Sequence, residues 1–302
     1  MNNDKKYGIG NKFKAVWQLM RLGHGIMIIL GILVGFIIAG GSFSIVIIFA
    51  FLTGIFLQAS TFALNDYYDM EIDKINKRTD RPLVRGDLKP ETALVLFCVL
   101  FALGLICSFY VNWTCFLIAL ITAIFAVVYD AVLKKKMKPL GNIYIAYTMA
   151  IPFVFGGVAA LKTNAISLNL HPAIFIISLI AFFAGVGREI MKDVMDFEGD
   201  REKGVKSFPW YIGIRASNVI TSLFYIIAII LSSLPFLLKD FGVYYQNWYY
   251  LSLVLITDII LIDVSVGLVM KERANTNSYR KPTLIAMFFG LLAFLVGAFV
   301  GG

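Results

Sequence analysis

Two acidic runs carry the side chains most able to do chemistry. Asn65-Asp66-Tyr67-Tyr68-Asp69-Met70-Glu71-Ile72-Asp73 sets Asp66, Asp69 and Asp73 at spacings of three and then four. Asp193-Val194-Met195-Asp196-Phe197-Glu198-Gly199-Asp200 repeats that spacing with Asp193, Asp196 and Asp200. Positions i, i+3 and i+7 share one face of a helix, so each run makes a stripe of carboxylates, and Glu189 extends the second by a turn. Clustered like charges repel one another and destabilise a helix unless something cationic sits among them. Hard oxygen donors completed by water and phosphate suit Mg2+. Either run alone would be ordinary interfacial surface; the matched pair predicts a shared metal-and-anion site.

Cations surround both runs. Arg78, Arg81 and Arg85 follow the first, Lys203 and Lys206 follow the second, and Lys134, Lys135, Lys136 and Lys138 form a third basic stretch. Acids that hold a metal, with Arg and Lys to neutralise the remaining oxygens, are what a metal-bound diphosphate needs. An apolar bundle beside such a site suits a substrate that is polar at one end and hydrocarbon at the other. An allylic prenyl diphosphate has that shape, and its C–O bond ionises when the departing diphosphate is stabilised. The cation left behind needs a dry cavity and electron-rich aromatic faces. Tyr67, Tyr68, Tyr129, Tyr144 and Tyr147 are placed to line it.

The elements that must position these groups are membrane helices. Of 302 residues 59% are hydrophobic and the mean hydropathy is +0.81. Only 15% are charged, against about 25% in soluble domains. Apolar segments near 17–38, 43–66, 92–110, 112–131, 140–160, 172–192, 212–237, 246–269 and 282–300 match the roughly 20 residues needed to cross a bilayer. They predict an all-α polytopic protein of nine transmembrane helices. Ala39-Gly40-Gly41-Ser42 divides the first two, while only Tyr110-Val111-Asn112-Trp113 divides the third from the fourth. Pro90, Pro139, Pro172 and Pro282 sit near helix starts, where the missing amide proton costs nothing.

Charge sets the orientation. Of 27 basic residues 25 fall in the amino-terminal segment and alternate loops, all on one side; Lys162 and Lys239 fall on the other. The positive-inside rule predicts a multi-pass cell-membrane protein with its amino terminus in the cytoplasm, its carboxyl terminus outside, and a site opening on the cytoplasmic face. The net charge of +8 is therefore a topology signal rather than the mark of a nucleic-acid partner. Cys98, Cys107 and Cys115 lie in or beside apolar segments with no disulfide or zinc spacing. The polar start of the chain has no signal-peptide pattern.

The residues also carry a family resemblance. The first run has the form Asn-Asp-x-x-Asp-x-x-x-Asp at Asn65, Asp66, Asp69 and Asp73, and continues into Asn76-Lys77-Arg78-Thr79-Asp80-Arg81-Pro82-Leu83 and Arg85-Gly86. The second has Asp-x-x-Asp-x-x-x-Asp, followed by Lys203-Gly204-Val205-Lys206-Ser207-Phe208-Pro209, and Tyr129 with Lys134 follows the fourth helix. In these motifs the chain resembles the UbiA-type intramembrane prenyltransferases through nearly its whole length. The resemblance implies a single domain over 1–302, nine helices around a central cavity, and cytoplasmic cap loops near 69–91, 131–139, 193–211 and 270–281. It implies that Asn65 and the six Asp bind Mg2+ and diphosphate, with Arg78, Lys134 and Lys206 as leading phosphate contacts. Arg81, Lys203, Tyr67, Tyr129 and Tyr144 stand beside them as substrate contacts. Many members begin the first helix with Arg-Pro-x-Asn; here Arg21 is kept, while Leu22 and His24 replace Pro and Asn. Arg21 and His24 are candidates for a substrate head group.

Within the family the compact chain is most similar to the archaeal branch that joins geranylgeranyl diphosphate to geranylgeranylglyceryl phosphate, forming the second ether bond of archaeal lipids. Its partners would then be a prenyl diphosphate donor, a lipid-phosphate acceptor and membrane lipids, with no obligate protein partner. Quinone-type prenylation of 4-hydroxybenzoate or a naphthoate uses the same motifs, with heme O and chlorophyll-type synthases further off. A transporter would need acids near the midplane, and Asp258 and Asp263 are the residues that point that way. A lipid-binding scaffold is the remaining class.

Overall fold

The computed structural model describes residues 9–75, 77–134, 137–161, 163, 165–202, 204–270 and 276–300, and every regular element among them is helical. In chain order these are α1 (Ile9–Met20), α2 (Gly25–Ile38), α3 (Ile45–Ile75), the short α4 (Pro82–Arg85), α5 (Pro90–Val111) and α6 (Trp113–Val128). Then follow α7 (Lys138–Ala160), α8 (Pro172–Met195), the short α9 (Phe197–Glu202), α10 (Phe208–Leu237), α11 (Trp248–Met270) and α12 (Arg280–Val300). Among the described residues eight helices are long and apolar enough to span a membrane, or nine if the bent α1–α2 pair counts as one. This is the all-α polytopic architecture expected.

The helix boundaries follow local chemistry. Pro at the first turn opens α4, α5, α7, α8 and α10. The soft division between α5 and α6 is made by Asn112. Its backbone is extended, and its side chain accepts from the Cys115 amide at 2.8 Å, capping α6. The first predicted span is not one straight helix. It starts earlier, at Ile9, and breaks at Arg21, whose backbone is left-handed (φ 46°), leaving a bend of 43°. The second helix runs on to Ile75, so the whole first acidic run is helical, as its spacing required. The Tyr129–Leu133 segment closes α6 as a π-helical turn, a distortion common at functional sites.

The chain divides into two compact units. The first comprises Met1–Ile29, Phe43–Ala131 and Thr163–Ile166. In it α3 lies along α5, and Ala15 and Leu19 of α1, Ala63 of α3, Leu83 of α4, and Leu88 and Ala93 form a buried cluster at the charged end of α3. The second comprises Leu30–Ser42, Val132–Lys162 and Ser167–Gly302. There α8 packs between α7 and α10, and α10, α11 and α12 follow as neighbours. Small residues let backbones approach closely: a Cβ at Gly35 would meet the Phe153 carbonyl, and one at Gly156 would meet the backbone of Ile32.

Candidate active site

In the first unit the apolar length of α3 delivers its acidic end beside the α1–α2 break. Asp66 is 2% exposed, and its Oδ1 accepts from both Arg21 and Arg81, the latter at 2.5 Å. Arg81 also lies 3.8 Å from Asp73. The Arg21 guanidinium sits 4.5 Å from the centroid of the Phe62 ring. A left-handed backbone at a non-glycine residue costs on the order of 1–3 kcal/mol, and here it is held by that ion pair and ring contact. Gln18, Arg21, Asp66, Arg78, Asp80, Arg81 and Pro82 line a pocket of about 330 Å³.

The loop before α4 is fixed by its own charges. Arg78 donates to both Asp80 oxygens at 2.9 and 3.0 Å, which lowers the Asp80 pKa and raises that of Arg78. Arg85 donates to the Thr79 and Asp80 carbonyls, to Gln18 at 2.6 Å and to Asp87. Arg85 is thus a rivet of the loop, while Arg21, Arg78 and Arg81 face the pocket. Asn65 donates through Nδ2 to Asp130 Oδ1 at 2.8 Å. His24 is exposed with its ring edge-on to Phe62, and Tyr67 packs on the Ala15–Ala93 cluster beside Tyr68. Asp69 and Tyr129 are partly buried, Asp73 fully.

In the second unit Asp193 is 2% exposed and fully engaged. Oδ2 accepts from Asn142 at 2.7 Å and from the Phe208 amide at 3.1 Å, while Lys138 Nζ stands 3.0 Å from Oδ1. Lys138 also reaches Asp200 at 2.5 Å. Burial raises the Asp200 pKa against the opposing pull of Lys138. Glu189 is buried and held by Lys192 at 2.7 Å, with Arg188 at 3.7 Å. Asp196 and Lys206 are exposed, Lys134 is partly buried, and Tyr144 stacks obliquely on Tyr147 with centroids 6.3 Å apart. Lys203 lies outside the described residues, as do Asn76, Lys135 and Lys136.

The chain matches the UbiA prenyltransferase family over residues 28–292. It belongs to that family. The prenyltransferase is 42% identical to digeranylgeranylglyceryl phosphate synthase of Archaeoglobus fulgidus over 290 residues, 95% of this chain and 96% of the relative. A solved digeranylgeranylglyceryl phosphate synthase superposes with a TM-score of 0.78 at 34% identity, covering 95% and 98% of the two chains. A UbiA homologue from A. fulgidus bound to GPP and Mg2+ shares the fold, with a TM-score of 0.63 at 21% identity over 95% and 98%.

The prenyltransferase's own residues suit a magnesium–diphosphate pair. Among the described residues no three His, Cys, Asp or Glu side chains form a closed metal cage. Mg2+ is commonly held by one or two carboxylates with waters and substrate phosphates, and the donors here are oxygens. Asp66 Oδ2 is buried without a hydrogen-bond partner, so one hard oxygen remains for a cation beside the pocket arginines. Sequence reasoning missed Asp130, Asn142 and the bridging role of Lys138. Asn142 stands four residues after Lys138 on α7, a spacing that acquires meaning only once Asp193 is seen against both.

Proposed function

We propose that this prenyltransferase transfers a geranylgeranyl group from geranylgeranyl diphosphate to geranylgeranylglyceryl phosphate, in a Mg2+-dependent reaction that releases diphosphate. The observation that carries the acceptor is the 42% identity to a digeranylgeranylglyceryl phosphate synthase over nearly the whole of both chains. The polar, arginine-lined pocket beside Asp66 supports an anionic substrate group.

In this reading the donor C1–O bond breaks with its electron pair leaving on diphosphate. The acceptor hydroxyl oxygen then forms the new C–O bond and gives up its proton. Mg2+, held by carboxylates of the two Asp motifs, would supply charge to the leaving diphosphate oxygens. Asn65, Asp69, Asp73, Asp196 and Asp200 are the proposed direct contacts, with Asp66 offering Oδ2. Asp193, whose oxygens are already engaged, holds α7 and the start of α10 in place. Arg21, Arg78 and Arg81 bind phosphate oxygens from the pocket wall. Tyr67, Tyr129 and Tyr144 with the apolar helices keep water from the prenyl chain.

An acceptor panel tests the reading. Purified protein with geranylgeranyl diphosphate and Mg2+ is offered geranylgeranylglyceryl phosphate, 4-hydroxybenzoate or dihydroxynaphthoate, and products are read by mass. Digeranylgeranylglyceryl phosphate is expected; a prenylated aromatic ring alone would transfer the enzyme to the quinone branch. The amino terminus and the site face the cytoplasm in this proposal, on the strength of 25 of 27 basic residues falling on one side. In a cysteine-free background, Lys206→Cys should resist an impermeant maleimide on intact cells and Gln246→Cys should react. The reverse pattern inverts the topology.

A further inference from the structure

We infer that Asp130 is a positioning residue for Asn65, fixing its side-chain amide so that Oδ1 faces the metal–diphosphate group. The inference rests on the proposed function for the group it serves, and on the geometry of this pair for everything else.

Asn65 opens the first motif, one residue before Asp66 and four before Asp69 on α3. An unrestrained amide presents either its oxygen or its nitrogen, and only the oxygen can bind a cation. Asp130 removes that freedom. It is 2% exposed, and its Oδ1 lies 2.8 Å from Asn65 Nδ2. An ionised carboxylate only accepts, so the flipped amide would set oxygen against oxygen.

The chain goes to some length to make this contact. Asp130 lies on the π-helical turn Tyr129–Leu133 that ends α6, and its partner is 65 residues away. Widening that turn re-aims its side chains relative to a regular helix. Outer partners that orient a ligating group typically matter by about 10–100-fold in metal affinity.

The test is a double-mutant cycle on the full-length protein, comparing the parent with Asn65→Ala, Asp130→Ala and the double variant. Calorimetry reads Mg2+-dependent binding of geranylgeranyl thiolodiphosphate, an unreactive donor analogue, so the result does not depend on the acceptor. Asp130→Ala should weaken that binding about tenfold, and should add nothing in the Asn65→Ala background. Asp130→Asn keeps the volume but adds an NH2 donor that accommodates the flipped amide. It should therefore weaken binding while leaving the melting temperature at the parent value, and it covers the case in which the alanine variant fails to fold. Equal losses in both backgrounds, or parent-like binding in Asp130→Ala or Asp130→Asn, would overturn the inference. Parent protein that binds the analogue with Mg2+ but fails on geranylgeranylglyceryl phosphate would count against the proposed acceptor alone.

Discussion

Replacing Asp193 by Ala separates the acid that builds the site from the acids that use it. The change strips the acceptor from two buried donors, Asn142 Nδ2 and the Phe208 amide. Each orphaned donor costs about 1–3 kcal/mol. Lys138 loses one partner but keeps Asp200 at 2.5 Å, so it is not left unpaired. Removing a buried carboxylate returns part of its desolvation cost. The balance is a loss of about 3 kcal/mol. At about 2–4 °C per kcal/mol for a chain of this size, the melting temperature should fall by about 6–12 °C. Asp196→Ala is the control. Asp196 is exposed, and a surface substitution of this kind stays within about 0.5 kcal/mol, yet turnover should nearly vanish. Melting curves in one detergent, paired with turnover under saturating substrate, give both readouts. An Asp193→Ala melt within about 2 °C of the parent, or an equal fall in Asp196→Ala, would refute the division of labour.

Other outcomes follow from the same geometry. Gly156→Ala drives a methyl group into the Ile32 backbone, and overpacking of this kind should cost about 1–3 kcal/mol, read as a lower melting temperature. Chelating divalent ions with excess EDTA should abolish diphosphate release, and added Mg2+ should restore it; release that persists after chelation would exclude the metal role. Asp258 is buried in α11 and accepts from Ser232 at 2.9 Å. Asp258→Asn keeps that partner and should leave prenyl transfer within about twofold of the parent, whereas an ion pathway through Asp258 would show as flux in proteoliposomes that the variant loses.

The first Asp stripe was legible because a period of 3.6 residues turns spacing into a shared face, and the spans because a bilayer demands length and apolarity. The second run departs from that expectation, since α8 ends at Met195, Asp196 caps it outside the helix and Asp200 lies on the separate α9. The break at Arg21 was hidden for a physical reason. Its left-handed backbone has no local signature at an arginine and is held by Asp66 and Phe62, which lie 45 and 41 residues further along the chain. Asp130 was hidden in the same way: one acid at a helix end has an ordinary solvated alternative until its buried partner is known. Lys138 read as one of four lysines in a basic stretch, and only the placement of Asp193 and Asp200 distinguishes it from its neighbours.

These missed contacts share a logic that the motifs alone do not display. Asp66 is paired with Arg21 and Arg81, while Asp193 and Asp200 share Lys138. A buried charge deprived of its partners is strongly unfavourable. Diphosphate alone would draw the arginines away and leave Asp66 uncompensated. A divalent ion alone would compete for Asp66 and leave two guanidiniums facing each other. When both arrive together Asp66 can exchange guanidinium for metal, and Arg21 and Arg81 can exchange carboxylate for phosphate. No group is left unpaired at the end. In the proposed reaction the pairing of Asp66 with Arg21 and Arg81 would thus favour the joint binding of metal and diphosphate over the binding of either one.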